Sequence, residues 1–478
     1  MILVILFAGI NLGPEEAQYW TWSRHLDWGY YSKPPGIAWE IWLGTQIAGN
    51  TELGVRLGAL VLGFLLPLAV YRTAKLAGLG GKTAFWSGAV LALSPVGVIS
   101  SFLSTTDAGM VFFWTLAFGE LVRTPEPHYR KAGGWIFLSA LFKWTGFLFW
   151  AAAAIGAALS PSHRKKSLIK GILISSLALL PSLIWNLQHD FATFKHVGGQ
   201  MLSPSGGAPP KPNFFEFLGA QAALISPIFF LLYLLATGHL VKRWKTIPFS
   251  LRLIGLATGL FLIAYCLQAA FKKMQGNWCV FIFPTMAVLI ARYAVEGMRH
   301  GKKWMIGGSV LSVACAALVL AVPALQRSGL ISSPPLRKYP LKECIGWGAM
   351  ERRLSEFEEP YFISDTYQMA SLLSFYSPGQ KRAYFFNIEG RRKNQFSYWP
   401  SMQEEQAGNA GIFVWSGYSP VHEKQGVRLK EKLLPYFENV DFLGSYPIYS
   451  IGGGPQKIVL LFRCLEYNGK APEAPLAY

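Results

Sequence analysis

The sequence predicts a polytopic α-helical membrane protein with a small soluble α/β domain at its C-terminal end, and three observations carry that prediction. Of 478 residues, 52% are hydrophobic and 15% are charged, against about a quarter charged in a soluble globular chain. Low-charge stretches recur through the first two-thirds, each near the roughly 20 residues that cross ~30 Å of hydrocarbon as a helix. Beyond Pro323 the pattern changes to charges of both signs and short alternating runs.

In lipid, each spanning segment must satisfy its own backbone polar groups, and stretches of this length do so as helices rather than barrel strands. The predicted spans are residues 1–12, 53–72, 83–101, 108–123, 133–142, 144–160, 168–185, 215–238, 251–270, 279–297 and 304–325, which is about eleven crossings. The first is too short to cross, and it lacks the basic start and small-residue cleavage site of a signal peptide, so residues upstream of Met1 are expected to be missing. Every second loop is basic: Arg72, Lys75 and Lys82; Arg123, Arg130 and Lys131; Arg164, Lys165, Lys166 and Lys170; Lys242, Arg243 and Lys245; Arg299, Lys302 and Lys303. The positive-inside rule makes those loops cytoplasmic. Residues 13–52, the turn at Asp107, the point near Lys143, residues 186–214 and the loop from Lys272 to Asn277 are then external, and an odd number of crossings leaves the C-terminal domain external too. The formal charge of +18 is thus topogenic, and no nucleic-acid partner is expected.

A transmembrane domain is expected over residues 1–325 and an α/β domain over 326–478, the latter within the ordinary size range. Strand patterns fall at 361–364, 411–415 and 457–462, and helical patterns near 341–357 and 427–437. Amphipathic helices on the membrane surface are expected at 16–26 and 37–48, and the Gly/Pro-rich stretch 203–212 reads as a mobile loop. The five cysteines show no CxxC spacing, so neither a zinc site nor a disulfide framework is signalled, and whether Cys344 and Cys464 pair in an oxidising compartment is left open by the sequence.

The candidate site residues lie in the external segments. Glu15 and Glu16 follow the first span, and adjacent side chains on a helix point about 100° apart, so at most one need face a cavity. Trp20, Trp22, Trp28, Tyr30, Tyr31, Trp39 and Trp42 crowd the same segment, with interface anchoring as their default role. Lys33 precedes Pro34 and Pro35, which restrict the backbone and hold its ammonium in one direction, as a phosphate site requires. Asp107 stands alone between two apolar spans, and Lys143 interrupts another; an ionisable group so placed is a functional candidate by default. Asn186, His189 and Asp190 follow a span directly, and with Tyr31 they form the substrate-binding candidates. Lys272 and Lys273 put positive charge on the disfavoured side, which points to an anionic ligand or, more simply, to lipid headgroups. Glu16, Asp107 and His189 are the donor set for a divalent metal, if one is used.

The strings EEAQYW, LDWGYYSKPPGIAW, STTDAG, LFKWTG and PSLIWNLQHDF, in this order and spacing, resemble the bacterial branch of the protein O-mannosyltransferase and lipid A aminoarabinose transferase superfamily, with the GT-C fold. The resemblance covers residues 13–285 in detail. It implies inverting transfer of a sugar from a polyprenyl-phosphate donor to a lipid, glycan or protein acceptor at the periplasmic face of the bacterial inner membrane. It also implies Glu15, Glu16 or Asp107 as general base, and Lys33 with Lys143 on the donor phosphate; Lys272, by its charge on the external side, completes the expected phosphate-binding set. The family usually has Asp-Glu where this chain has Glu15-Glu16. The chemistry fits these residue types on its own: a glycosyl phosphate carries a good leaving group, so one carboxylate to accept the acceptor's proton and cations to hold the departing phosphate suffice. A transporter or lipid flippase is the rival reading. It predicts repeat symmetry and broken helices near the midplane, and no repeat is visible. An inactive relative acting as an assembly partner is the third.

Overall fold

The computed structural model describes residues 9–202, 211–421 and 424–472. Apolar helices make up its first two-thirds: α1 (Pro14–Ser23), α2 (Gly36–Ala48), α3 (Glu52–Leu76), α4 (Gly81–Leu93), α5 (Pro95–Ser100), α6 (Thr106–Leu121), α7 (Tyr129–Phe142), α8 (Phe149–Leu159), α9 (Ser167–Ser176), α10 (Leu179–Gln188), α11 (Ala192–Leu202), α12 (Phe214–Ile225), α13 (Pro227–Lys242), α14 (Phe249–Ala269), α15 (Phe283–Glu296) and α16 (Gly301–Arg327). Every predicted span after the first is helical. Residues 1–8 of the first span, and most of the predicted mobile stretch 203–212, lie outside the described residues.

Among the described residues, five helical stretches are long and apolar enough to cross a membrane: Glu52–Leu76, Ser167–Gln188, Phe249–Ala269, Gly276–Glu296 and Gly301–Arg327. The single span expected over 215–238 is instead two helices, α12 and α13, bent by 102°. Ser226 sits there at φ 94, a region that non-glycine residues rarely adopt, and Pro227 has no N–H to continue the first helix. Large apolar side chains such as Phe64 (75% exposed) and Leu173 (63% exposed) face outward; an apolar exterior suits contact with lipid.

Three of the basic loops converge at one end of this bundle. Buried Glu120 receives Arg72, Arg123 at 3.3 Å and His128 at 3.5 Å, while Lys165 pairs with Glu126. Asp107 begins the same helix that Glu120 nearly ends. At 1.5 Å per residue, the two acids stand about 20 Å apart along α6.

Beyond α16 lies an α/β unit with helices α17 (Ala349–Leu354), α18 (Tyr367–Tyr376), α19 (Met402–Glu405) and α20 (Lys424–Leu433). Its strands are β1 (Tyr361–Ser364), β2 (Tyr384–Phe385), β3 (Gly411–Tyr418), β4 (Phe437–Ile451) and β5 (Gly454–Tyr467), in the order β2-β1-β3-β5-β4. β2, β1 and β3 run parallel, and β3, β5 and β4 antiparallel. The helical pattern expected to 437 stops at Leu433, because Phe437 starts β4. Cys344 and Cys464 are separate buried thiols.

One apolar core joins the two parts. Trp20, Trp22 and Tyr30 pack with Trp347, Met369, Leu373, Ile412 and Leu461; Trp22 stacks on Tyr30 at 4.5 Å, and Trp20 meets Phe375 edge-on at 5.0 Å. The interface-anchor expectation is therefore corrected for Trp20, Trp22, Tyr30 and Tyr31, all at most 3% exposed, while Trp39 is half-buried and Trp28 (51%) and Trp42 (42%) are exposed.

Candidate active site

α1 separates the two adjacent glutamates as helical geometry requires. Glu16 turns inward, where Arg56 Nε and Nη2 donate to it at 2.8 and 2.7 Å, the Gly13 N–H at 2.9 Å and the Ser104 N–H at 3.0 Å. Arg56 is fully buried and donates further to the Ile10 and Asn11 carbonyls. With four donors on two oxygens, Glu16 has no capacity left for an acceptor's proton or a metal ion, so both expected roles are corrected to a structural one. Glu15 points outward and makes no hydrogen bond or ion pair among the described residues.

Two close approaches bring the segments that carry the other charged residues together. A Cβ on Gly36 would stand 2.6 Å from the Leu141 carbonyl, and one on Gly109 would stand 2.5 Å from the Phe142 ring. Only glycine lets the start of α2 and the first turns of α6 seat against the end of α7. α7 stops at Lys143, whose backbone is extended (φ −158°, ψ 128°). Its ammonium donates to Asp107 Oδ1 at 2.7 Å, and Asn277 Nδ2 donates to Oδ2 at 3.2 Å. The Lys33 ammonium is pushed below the usual lysine range by burial first and by the field of Lys143 second, opposed by the negative charges of Glu15 and Asp107. The Tyr19 hydroxyl shares a hydrogen bond with Thr106, and its acidity is lowered by burial and by the fields of Glu15, Asp107 and Tyr367. Glu15, Lys33, Asp107 and Lys143 are therefore electrostatic neighbours at one end of the bundle.

Asp107 and Asn277 also form the polar end of a cleft of about 1030 Å³. Its walls are apolar and include Leu62, Leu66, Ala92, Val111 and Phe283.

The remaining candidates are distributed differently. Buried Asn186 is saturated: its Nδ2 donates to the Ser182 carbonyl and Thr193 Oγ1, and its Oδ1 accepts from the Thr193 N–H. Substrate binding by Asn186 is corrected to locking the chain between α10 and α11. His189 Nδ1 lies 2.8 Å from the Trp185 carbonyl, and its ring stacks on Trp185 at 4.1 Å. Tyr398 packs against Tyr31, Trp185 and His189, so Tyr31 and His189 belong to an aromatic wall. Asp190 (φ 50) is exposed beyond it, and exposed Lys272 touches neither acid. The expected metal set does not assemble: Glu16 is held by Arg56, Asp107 by Lys143 and His189 by the wall. Among the described residues, no three His, Cys, Asp or Glu side chains gather as metal ligands.

Sequence reasoning missed Tyr19, Tyr367 and Asn277, which touch or flank the acids, and Arg56, the partner of Glu16. Arg56 had a signal: a charge inside a predicted span demands a counter-charge.

Residues 32–185 match the family described as dolichyl-phosphate-mannose-protein mannosyltransferases. The lipid A galacturonosyltransferase RgtD of Rhizobium johnstonii is 30% identical over 295 residues, spanning 60% of this chain and 62% of that protein. The crystal structure of ArnT from Cupriavidus metallidurans bound to undecaprenyl phosphate superposes with a TM-score of 0.64 at 14% identity, over 96% of each chain; its apo structure gives 0.61 at 13%, again over 96% of each. The chain therefore shares the fold of the two ArnT structures, its residues 32–185 match the mannosyltransferase family, and it spans about three-fifths of the length of the curated relative it matches.

Proposed function

We propose that the protein transfers a sugar from a polyprenyl-phosphate donor to a lipid acceptor, with inversion, at the external face of the bacterial inner membrane, where its C-terminal α/β unit also lies. The observation that carries this reading is a cluster of two acids and two lysines, one of whose members, Asp107, lines an apolar cleft. A polyprenyl chain suits the cleft, and its phosphate then falls among the lysines. The basic ends near Glu120 face the cytoplasm on this reading. The relative that acts on lipid A and the solved structure holding undecaprenyl phosphate support the lipid acceptor and the polyprenyl donor.

Each residue then has a task. Glu15, unpaired and exposed, accepts the proton of the acceptor hydroxyl as its oxygen attacks the anomeric carbon. The bond from that carbon to the phosphate oxygen breaks, and the phosphate leaves with the electron pair. Lys33 and Lys143 offset the charge that develops on it. Asp107 holds Lys143 in place and sits in the first turn of α6, where the helix dipole favours a carboxylate. A single displacement needs no second nucleophile, so the anomeric carbon inverts.

Purified protein, a polyprenyl-phosphate sugar and lipid A test this directly. Transfer that is lost in Glu15→Gln and reduced in Asp107→Asn supports the assignment; full turnover in both removes these acids from the chemistry.

A further inference from the structure

Two clefts away from the acids meet on the C-terminal α/β unit. One, of about 590 Å³, lies between α1 and that unit and is lined by Trp20, Arg24 and His25. The other, of about 1020 Å³, runs beside β2 and is lined by Phe385, Lys393 and Gln403. Arg382, Phe396 and Trp399 line both, so the two form one groove with Trp399 at its waist. Half-buried Trp399 is braced by Phe396 edge-on at 5.2 Å and by the His25 ring at 5.0 Å. Arg382 stands 6.0 Å from its ring centroid and is held by Glu405 at 3.2 Å. Exposed Arg24 stands over Trp20 and forms no ion pair among the described residues.

A braced, half-exposed aromatic ring beside two guanidinium groups, Arg382 held by Glu405 and Arg24 without an ion pair among the described residues, fits a sugar: the ring covers its C–H face, and the Arg24 guanidinium takes a carboxylate or phosphate. A peptide adding a strand would need an open sheet edge. β2 is the edge strand, but it has two residues and the turn at Gln395–Tyr398 packs against it. The segment that carries Trp399 also forms part of the aromatic wall that includes Tyr31, two residues before Lys33, since Gln395 Oε1 accepts from the Tyr31 N–H at 2.7 Å and Tyr398 packs on Tyr31. We infer that this groove binds an anionic saccharide, the part of the acceptor that extends beyond the reacting hydroxyl. The acceptor role rests on the transferase reading above; the saccharide binding does not.

The test is titration calorimetry on the full-length protein in nanodiscs, with a deacylated, phosphorylated glucosamine disaccharide as the probe. Wild type binds it, Trp399→Ala and Arg24→Ala each weaken binding about tenfold or more, and Trp399→Phe retains it. Arg24 is exposed, so its variant tests the groove even if Trp399→Ala fails to fold. No binding by wild type, or equal affinity in wild type and Arg24→Ala, overturns the inference, as does equal competition by an acidic peptide. Saccharide binding in a protein that transfers nothing from any polyprenyl-phosphate sugar would sink the transferase reading and leave the groove standing; transfer without saccharide binding would do the reverse.

Discussion

Neutralising each of two adjacent glutamates should produce opposite phenotypes. Glu16 and Arg56 are 3% and 0% exposed and joined by two hydrogen bonds of 2.7 and 2.8 Å. Removing one member of such a buried pair strands the other charge and costs about 3–5 kcal/mol, a large share of a net stability of about 5–15 kcal/mol. Glu16→Gln should therefore lower the melting temperature clearly, while turnover per folded molecule changes little. Adding Arg56→Gln should cost less than the sum of the two single changes, because no unpaired charge remains. Glu15→Gln touches an exposed, unpaired side chain and should alter stability by less than about 0.5 kcal/mol. It should cut turnover by roughly 10²–10⁴-fold, the contribution of a general base. Thermal melts and transfer rates normalised to folded protein read both effects. Unchanged melting with lost turnover in Glu16→Gln, or full turnover in Glu15→Gln, would refute the division of roles.

Three further outcomes are expected. Lys33→Met should raise the donor's Kd about 10–100-fold, the worth of a charge-assisted contact; and because the Lys33 pKa is lowered, wild-type donor affinity should fall with rising pH before ordinary lysines titrate. A donor Kd flat through that range would exclude Lys33 from the phosphate site. Ala92→Trp narrows the apolar cleft and should weaken a long-chain donor while sparing a short-chain one; equal effects on both would separate the cleft from the chain. Both oxygens of Glu40 are buried without a hydrogen-bond partner, and burial pushes its pKa up to about 8. The folded state then holds a proton that the unfolded chain releases above about 4.3, so stability should fall by up to about 1.4 kcal/mol per pH unit between those values. Glu40→Gln should flatten that slope in pH-dependent melts, and an unchanged slope would show that Glu40 is not its source.

Where the fold was legible, a single physical signal sufficed. Apolar length located the helices from α3 to α10 and from α12 to α16, and isolated charges located Asp107 and Lys143, because an ionisable group among apolar residues needs a reason to be there. Other features depend on partners distant in the chain. Nothing local tells which of Glu15 and Glu16 turns inward, since that choice is made by Arg56, 40 residues on. The tryptophans of the first loop match an interface pattern equally well, and only the presence of Met369 and Leu461 against them makes them core. β4 escaped notice because it carries Gly444 and Pro447, alternates poorly and shifts register against β5 at Phe442/Gly444 and Pro447/Tyr449. The bend at Ser226 is set by a backbone angle that its neighbours conceal within an apolar run.

A structure of the protein with a bound polyprenyl phosphate bears most directly on the central claim. The phosphate should lie within hydrogen-bond reach of Lys33 or Lys143, beside Glu15, with its chain running along Leu62, Leu66 and Phe283. A phosphate found instead among the basic loops around Glu120, about 20 Å away along α6, would contradict it.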